Sequence, residues 1–299
     1  MIYLNNSKFP VDHYPDGTQL LKYDRDFTVL SQPRNTENNY FVFDIKWVYE
    51  NDEELVTIYF LTKHLQNTFT KHNEINLFIC YCPNARQDRV KSDCEIFTLK
   101  YFAELINSLN FNKVYIADPH SDVATALFNR VEVYDITYLL NTVATKFKNT
   151  YGVENSYVYF PDAGAMKRYK DMIENSLFKP FKKLYGAKER DWESGKIVGL
   201  RIHDEHDNVV SEGQLKDASV IMIDDIISYG GTLYYSAKKL KELGVGTILA
   251  YATHTENSVL DPEKGTFIKC LEDGTVKGLY TTNSLYSGKH DKIYAYKLF

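Results

Sequence analysis

Apolar positions along the chain fall into two alternating kinds of run. Short continuous stretches at 77–82 (LFICYC), 113–117, 157–160, 197–202, 220–223 and 248–253 have the length and β-branched or aromatic content of strands buried on both faces. Between them, apolar residues recur three and four apart. From 52 to 72 they are Leu55, Ile58, Leu61, Leu65 and Phe69, with Asn51 placed to cap the start. Similar stripes predict helices over 94–109, 136–147, from Gly164 to Leu177, and up to Leu243. Weaker patterns predict strands at 1–4, 19–23, 27–30, 40–45, 181–185, 278–281 and 293–298. Strands alternating with helices of this length predict right-handed crossovers. The expected class is therefore α/β, with two largely parallel sheets flanked by helices and a division near residue 140. In such sheets ligands collect at the carboxyl ends of the strands.

Composition narrows this little. The 299 residues are 44% hydrophobic and 25% charged, the balance of an ordinary globular protein. A net charge of −5 without a basic block argues against nucleic acid or an anionic membrane as partner. No run of about 18 apolar residues is present, and the start, MIYLNNSKFP, has no basic and apolar leader. Cys80, Cys82, Cys94 and Cys270 lack disulfide or zinc spacing, which predicts reduced thiols and a cytoplasmic protein.

The candidate chemistry sits at strand ends. After the strand at 220–223 come Asp224 and Asp225, then Ser228, Tyr229, Gly230, Gly231 and Thr232, then a helix. The glycines allow a tight turn whose N–H groups converge on one oxyanion, and the helix start adds its positive dipole end. The two carboxylates can accept hydrogen bonds from vicinal sugar hydroxyls or help hold a metal ion. A ribose phosphate is the expected ligand, although a glycine pair also serves ordinary crossovers. After 77–82 the run Ala85-Arg86-Gln87-Asp88-Arg89 offers guanidinium forks suited to phosphate, or a surface salt-bridge loop. His120 follows Asp118 at the end of 113–117, and Asp162 precedes a helix that it can also cap. His120 and Asp162 suit a magnesium ion and a triphosphate. Lys188 and Arg190 can neutralise charge on a transferred phosphoryl group.

In this order the motifs resemble those of ribose-phosphate pyrophosphokinases over nearly the whole chain: Tyr14-Pro15-Asp16-Gly17, ARQDR, ADPH, FPDAGAMKR, AKER, IDDIISYGGT and AYATH. Type I phosphoribosyltransferases share only the IDDIISYGGT motif, and a non-catalytic homologue would be expected to lose the lysine or the metal ligands. The resemblance implies two phosphoribosyltransferase-like domains, 1–140 binding ATP and 141–299 binding the sugar phosphate. It implies Mg2+-dependent transfer of the β,γ-diphosphate of ATP to an anomeric hydroxyl, with release of AMP. Tyr14, Asp16, Arg86, Gln87, Asp88 and His120 are then expected at ATP. His120 and Asp162 are expected at the metal, Lys188 and Arg190 at the transition state, and Asp224, Asp225 and Ser228 to Thr232 at the sugar phosphate. In relatives the turn at 14–18 reaches a neighbouring subunit, which implies a homodimer or larger homo-oligomer. Three departures stand out: Thr18 replaces the family's Glu, the stretch after Ile202 is longer, and Tyr229 replaces a small Thr. A phenol is too bulky to enclose a terminal monophosphate but can stack on a base carried through that phosphate. The expected acceptor is therefore ADP-ribose, as in phage-type relatives that rebuild NAD in a host cytoplasm, ahead of free ribose 5-phosphate.

Overall fold

The computed structural model of the chain describes residues 1–22, 41–69, 73–190 and 197–298. It divides into two compact units, Met1–Asp135 and Ile136–Phe299. The strand expected at 27–30 lies outside the described residues.

In the first unit the strands are β1 (Ile2–Leu4), β2 (Ser7–Lys8), β3 (Val11–His13), β4 (Gln19–Leu21), β5 (Phe41–Trp47), β6 (Asn73–Ile79), β7 (Lys113–Ala117) and β8 (Val131–Tyr134). The helices are α1 (Glu53–Thr68), α2 (Thr98–Ser108) and α3 (Asp122–Leu127). One sheet runs β2-β1-β5-β6-β7-β8, with β5 to β8 parallel and β1 and β2 antiparallel, while β3 and β4 form a separate hairpin. The N-cap of α1 is Asp52 rather than the expected Asn51, but Asn51 Oδ1 accepts from Glu53 N–H, the first of the helix, at 3.0 Å. β6 starts and ends earlier than its apolar run. Asn76 is satisfied by Asp44 on the next strand (Nδ2 to Oδ1, 3.0 Å), so polar residues enter the sheet and Cys80 to Cys82 fall beyond it. Helix α3 and strand β8 are too short to show a period and were not foreseen.

The second unit holds β9 (Ser156–Phe160), β10 (Lys182–Arg190), β11 (Ile197–Asp204), β12 (Ser219–Ile227), β13 (Thr247–Thr255), β14 (Leu279–Thr282) and β15 (Ile293–Tyr296). Its helices are α4 (Thr137–Tyr151), α5 (Ala163–Glu174), α6 (Gly231–Glu242) and α7 (Phe267–Glu272). The sheet order is β11-β10-β9-β12-β13-β14-β15, and β11 alone of these strands is antiparallel. β12 is central and shows why its run is continuously apolar. Val220 and Met222 pack with Leu233 and Leu240 of α6 on one face, and Ile221 and Ile223 pack with Phe160 and Phe147 on the other. Each such burial stabilises by about 1.5–3 kcal/mol.

Two strands outrun their predicted ends. β12 continues through Asp224 and Asp225 to Ile227 because β13 pairs with it as far as Thr255. β10 continues through Lys188 to Arg190 because β11 pairs with its far half, with an irregularity between Glu189 and Arg190. In both cases the missing signal is a partner distant in sequence. Gly186, buried in β10, faces the Tyr159 hydroxyl, the Pro161 carbonyl and Leu200 with no room for a Cβ. Gly186→Ala is therefore expected to destabilise the protein by about 1–3 kcal/mol, read as a lowered urea midpoint at unchanged m-value.

Candidate active site

Because β9, β10, β12 and β13 are mutually parallel, their carboxyl ends lie on one side of the second unit's sheet. That edge gathers Asp162 after β9, Lys188 near the end of β10, the aspartate pair and glycine loop of β12, and Glu256 after β13. Asp225 is almost fully buried, with 4% of its side chain exposed. A carboxylate there needs a cation, and Arg168 on α5 supplies it, Nη2 donating to Asp225 Oδ1 at 2.6 Å. The same guanidinium nitrogen lies 3.8 Å from Asp224 Oδ1. Asp224 Oδ1 also accepts from the backbone N–H of Asp225 at 3.0 Å. Burial, and then the neighbouring Asp225 charge, push the Asp224 carboxyl well above the usual range, with Arg168 only partly opposing them. One aspartate is thus fixed by a cation, while its neighbour stays partly exposed, at 15%, and reluctant to ionise until something positive or hydrogen-bonding arrives. Sequence reasoning missed Arg168, although it lies six residues beyond Asp162 on the helix that Asp162 caps.

The loop after β12 is shaped from behind. Gly230 is the N-cap of α6 with φ +80°, and a Cβ there would collide with Phe267. Both constraints demand glycine. The carbonyl of Tyr229 accepts from Thr266 N–H (2.9 Å), Phe267 N–H (3.1 Å) and the Thr266 hydroxyl (2.9 Å), so the backbone of Tyr229 anchors the loop. Its ring stays 40% exposed. The Tyr159 hydroxyl is 2.9 Å from Ser236 Oγ, which donates to Thr232 O at 2.9 Å, tying the first turn of α6 to β9. The opening N–H groups of a helix have no intrahelical acceptors, so this turn presents donors to an anion. The Ser228 hydroxyl donates to Glu256 Oε2 at 2.7 Å.

Lys188 is exposed and helps line a cleft of about 770 Å³ with Pro161, Leu200, Gly231, Thr232 and Tyr235. The fold therefore brings together the lysine and the phosphate loop, which the sequence places more than forty residues apart. The side chain of Arg190 lies outside the described residues. Asp162 caps α5, Oδ1 accepting from Ala165 N–H at 2.8 Å. Among the described residues no group of three or more His, Cys, Asp or Glu could hold a metal unaided. Magnesium in phosphoryl-transfer sites takes one or two carboxylates and completes its shell with phosphate and water, which suits the exposed Asp162.

The first unit carries its own cluster. Asn84, at φ +62°, turns the chain after β6, and Gln87 N–H closes the turn on Asn84 O at 2.8 Å. This leaves Arg86 and Gln87 exposed, the Gln87 carbonyl accepting from the Thr98 hydroxyl. Asp88 instead points inward and takes a forked pair from Arg89, Nε to Oδ1 at 2.7 Å and Nη2 to Oδ2 at 3.1 Å. That pairing holds its carboxyl below the usual range. Asp88 thus braces the loop, while Arg86 and Gln87 lie on its exposed side. His120 is half-buried just after Asp118, which takes φ +41° at the end of β7. Tyr14 and Asp16 sit on the exposed β3–β4 turn, where Asp16 Oδ1 accepts from Thr18 N–H (2.9 Å) and Oγ1 (2.7 Å). Thr18 therefore closes the turn on itself, lowering the Asp16 pKa.

No family model matches the chain. It is similar to the ribose-phosphate pyrophosphokinase of Saccharolobus solfataricus, 27% identical over 206 residues, covering 69% of this chain and 65% of that protein. The enzyme of the same name from Sulfurisphaera tokodaii is 26% identical over 282 residues, covering 92% and 84%. The one from Mycoplasma pneumoniae is 28% identical over 220 residues, covering 73% and 61%. Thus the chain matches just under two thirds of the length of two of these three relatives. Among solved structures, the phosphoribosylpyrophosphate synthetase of Mycobacterium smegmatis shares the fold, with a TM-score of 0.69 at 16% identity over 97% of this chain and 86% of that one.

The aspartate pair has a measurable signature. A carboxyl whose folded pKa is raised binds more protons in the native than in the unfolded state, so stability falls as pH rises from the unfolded value near 4 toward the folded one. Asp224→Asn removes that term. Without magnesium it is expected to be more stable than the parent at pH 7 and indistinguishable from it near pH 3.5, as measured by urea unfolding across that range.

Proposed function

From the similarity of the chain to ribose-phosphate pyrophosphokinases, we propose that it transfers the β,γ-diphosphate of ATP to the anomeric hydroxyl of a ribose 5-phosphate unit. The anomeric oxygen bonds to Pβ as the Pα–O–Pβ bridge breaks. The bridging oxygen and its electron pair leave with AMP, and the hydroxyl proton passes to water. The work of such a site is to position the reacting groups and screen their charge, so no covalent nucleophile is required. In the second unit Asp224 and Asp225 hold the ribose hydroxyls, the turn from Ser228 to Thr232 cradles the 5-phosphate, and Lys188 with Arg190 offsets charge on the transferred group. Asp162 offers a carboxylate oxygen to the magnesium that accompanies ATP. When bound, that ion screens the triphosphate. In the first unit Arg86, Gln87 and His120 bind ATP. The exposed turn with Tyr14 and Asp16 extends toward the nucleotide of a neighbouring copy, which makes the working form a homo-oligomer.

The acceptor is ADP-ribose, giving ADP-ribose 1-diphosphate for NAD salvage. The observation that carries this reading is Tyr229, whose backbone anchors the loop while its ring remains exposed beside the phosphate position. A ring so placed can stack on a base linked through that phosphate. Free ribose 5-phosphate has nothing to offer it. The deciding experiment follows AMP release from ATP and Mg2+ with each acceptor. ADP-ribose is expected to be used with the higher kcat/KM, and equal or better use of ribose 5-phosphate would overturn the assignment.

Two substitutions test individual roles. Lys188→Ala is expected to lower kcat by about a hundredfold or more with an unchanged circular dichroism spectrum. Tyr229→Thr is expected to raise KM for ADP-ribose by about tenfold, the loss of one base stack, with no rise for ribose 5-phosphate.

A further inference from the structure

The cleft beside Lys188 does not end at the phosphate loop. Its lining runs on along α6 through Thr232, Tyr235, Lys239 and Glu242, with Leu200 of β11 also in its wall. These helix positions are three and four apart, so they form one stripe, distinct from the face that buries Leu233, Ala237 and Leu240. Ten residues at 1.5 Å each make the stripe about 15 Å long. The volume, about 770 Å³, is that of pockets which enclose drug-sized ligands, and a sugar monophosphate fills only the loop end. The chemistry changes along the way. At the loop end are Lys188 and the donors of the first turn of α6. In the middle the ring of Tyr235 is 66% exposed and set edge-on to Tyr234, at 5.3 Å between centroids. At the far end Lys239 Nζ meets Glu242 Oε2 at 3.0 Å, both side chains being open to solvent. Such an exposed pair holds weakly and changes partners readily. Lys238, by contrast, is engaged by Asp273 at 3.1 Å and lies over the Tyr234 ring.

We propose that this groove is a subsite for the part of the acceptor that lies beyond its 5-phosphate, the second phosphate and nucleoside sugar of a nucleoside diphosphate sugar. The proposal rests on the reading that the loop takes the acceptor's 5-phosphate, and it extends that reading along α6. Helical side chains lean toward the N-terminus of their helix. Lys239, about 10 Å along the axis from Thr232, therefore carries its ammonium on a long stem back toward the loop, where a second phosphate attracts it. Leaving Glu242 for that phosphate frees a carboxylate to accept from the vicinal hydroxyls of the nucleoside sugar. Tyr235, between the two, gives that sugar a flat wall. The order of the groups matches the order of the acceptor: anion first, then an apolar surface, then hydroxyls. Free ribose 5-phosphate ends at the loop and meets none of them. The contact is separate from Tyr229, which addresses the base.

The test compares ADP-ribose with ribose 5-phosphate in variants of the groove, with ATP and Mg2+ present. Lys239→Gln is expected to raise the KM for ADP-ribose, relative to that for ribose 5-phosphate, by about tenfold, the loss of one charged hydrogen bond. Tyr235→Ala is expected to raise the same ratio by about fivefold, through lost contact area. An unchanged ratio in either variant overturns the proposal. A direct readout comes from Tyr235→Trp, whose fluorescence is compared with that of the parent. ADP-ribose is expected to change the emission of this variant, while ribose 5-phosphate leaves it as it was, and an equal response to both overturns the proposal. If ADP-ribose is not turned over, its Ki as a competitor of ribose 5-phosphate replaces its KM. A Ki raised by these factors in both variants means that the acceptor assignment fails and the groove stands. A Ki unchanged in either overturns the groove as well.

Discussion

Two consecutive carboxylates on the central strand of a sheet are an electrostatic problem, and the bond from Arg168 to Asp225 is the answer on which the site depends. Removing one partner of such a buried pair costs several kcal/mol. With Arg168 in place, the two aspartates divide. Asp225 becomes a fixed element of the structure, and Asp224 is left partly exposed and hard to ionise. Helix α5 serves both ends of this arrangement, since Asp162 caps its start and Arg168 projects from its second turn. The strand, the helix and the carboxylates are therefore parts of one electrostatic unit, and its stability is given up in part to keep Asp224 receptive.

The loop that follows obeys a different constraint, a steric one. Phe267 fills the space that any side chain at position 230 would need, and the backbone at 266 and 267 donates to the Tyr229 carbonyl. The turn is thereby held from the side opposite the ligand. Around the same loop lie the main-chain N–H groups at the start of α6, Lys188 in the adjoining cleft, and Glu256, which accepts from Ser228.

Much of this was legible in the sequence because the signals were local. The apolar runs of β7, β9, β12 and β13 have no other use than strands buried on both faces, and the motifs that follow them appear where parallel topology puts ligands. The misreadings share one cause. The far halves of β10 and β12, and the polar start of β6, are strands because a partner is there, and a partner distant in sequence leaves no mark on local periodicity. The same holds at the site. The pairing of Asp88 with Arg89 inside ARQDR could not be read from the motif. The bond from the Ser228 hydroxyl to Glu256, 28 residues on, left no mark in the sequence. Arg168 lay in plain view within FPDAGAMKR, but only the fold shows which carboxylate it faces.

The hydrogen bonds of Tyr229 run through its carbonyl, and this separates two properties that usually change together. Path and chemistry are uncoupled at this position: a substitution there replaces what the loop shows to its ligand while every bond that sets its course is kept. Such a residue behaves as an exchangeable tip on a fixed mount. Variation in what a site of this architecture accepts can then accumulate at position 229 in single steps, with the framework that holds the aspartate pair passing through each step unaltered.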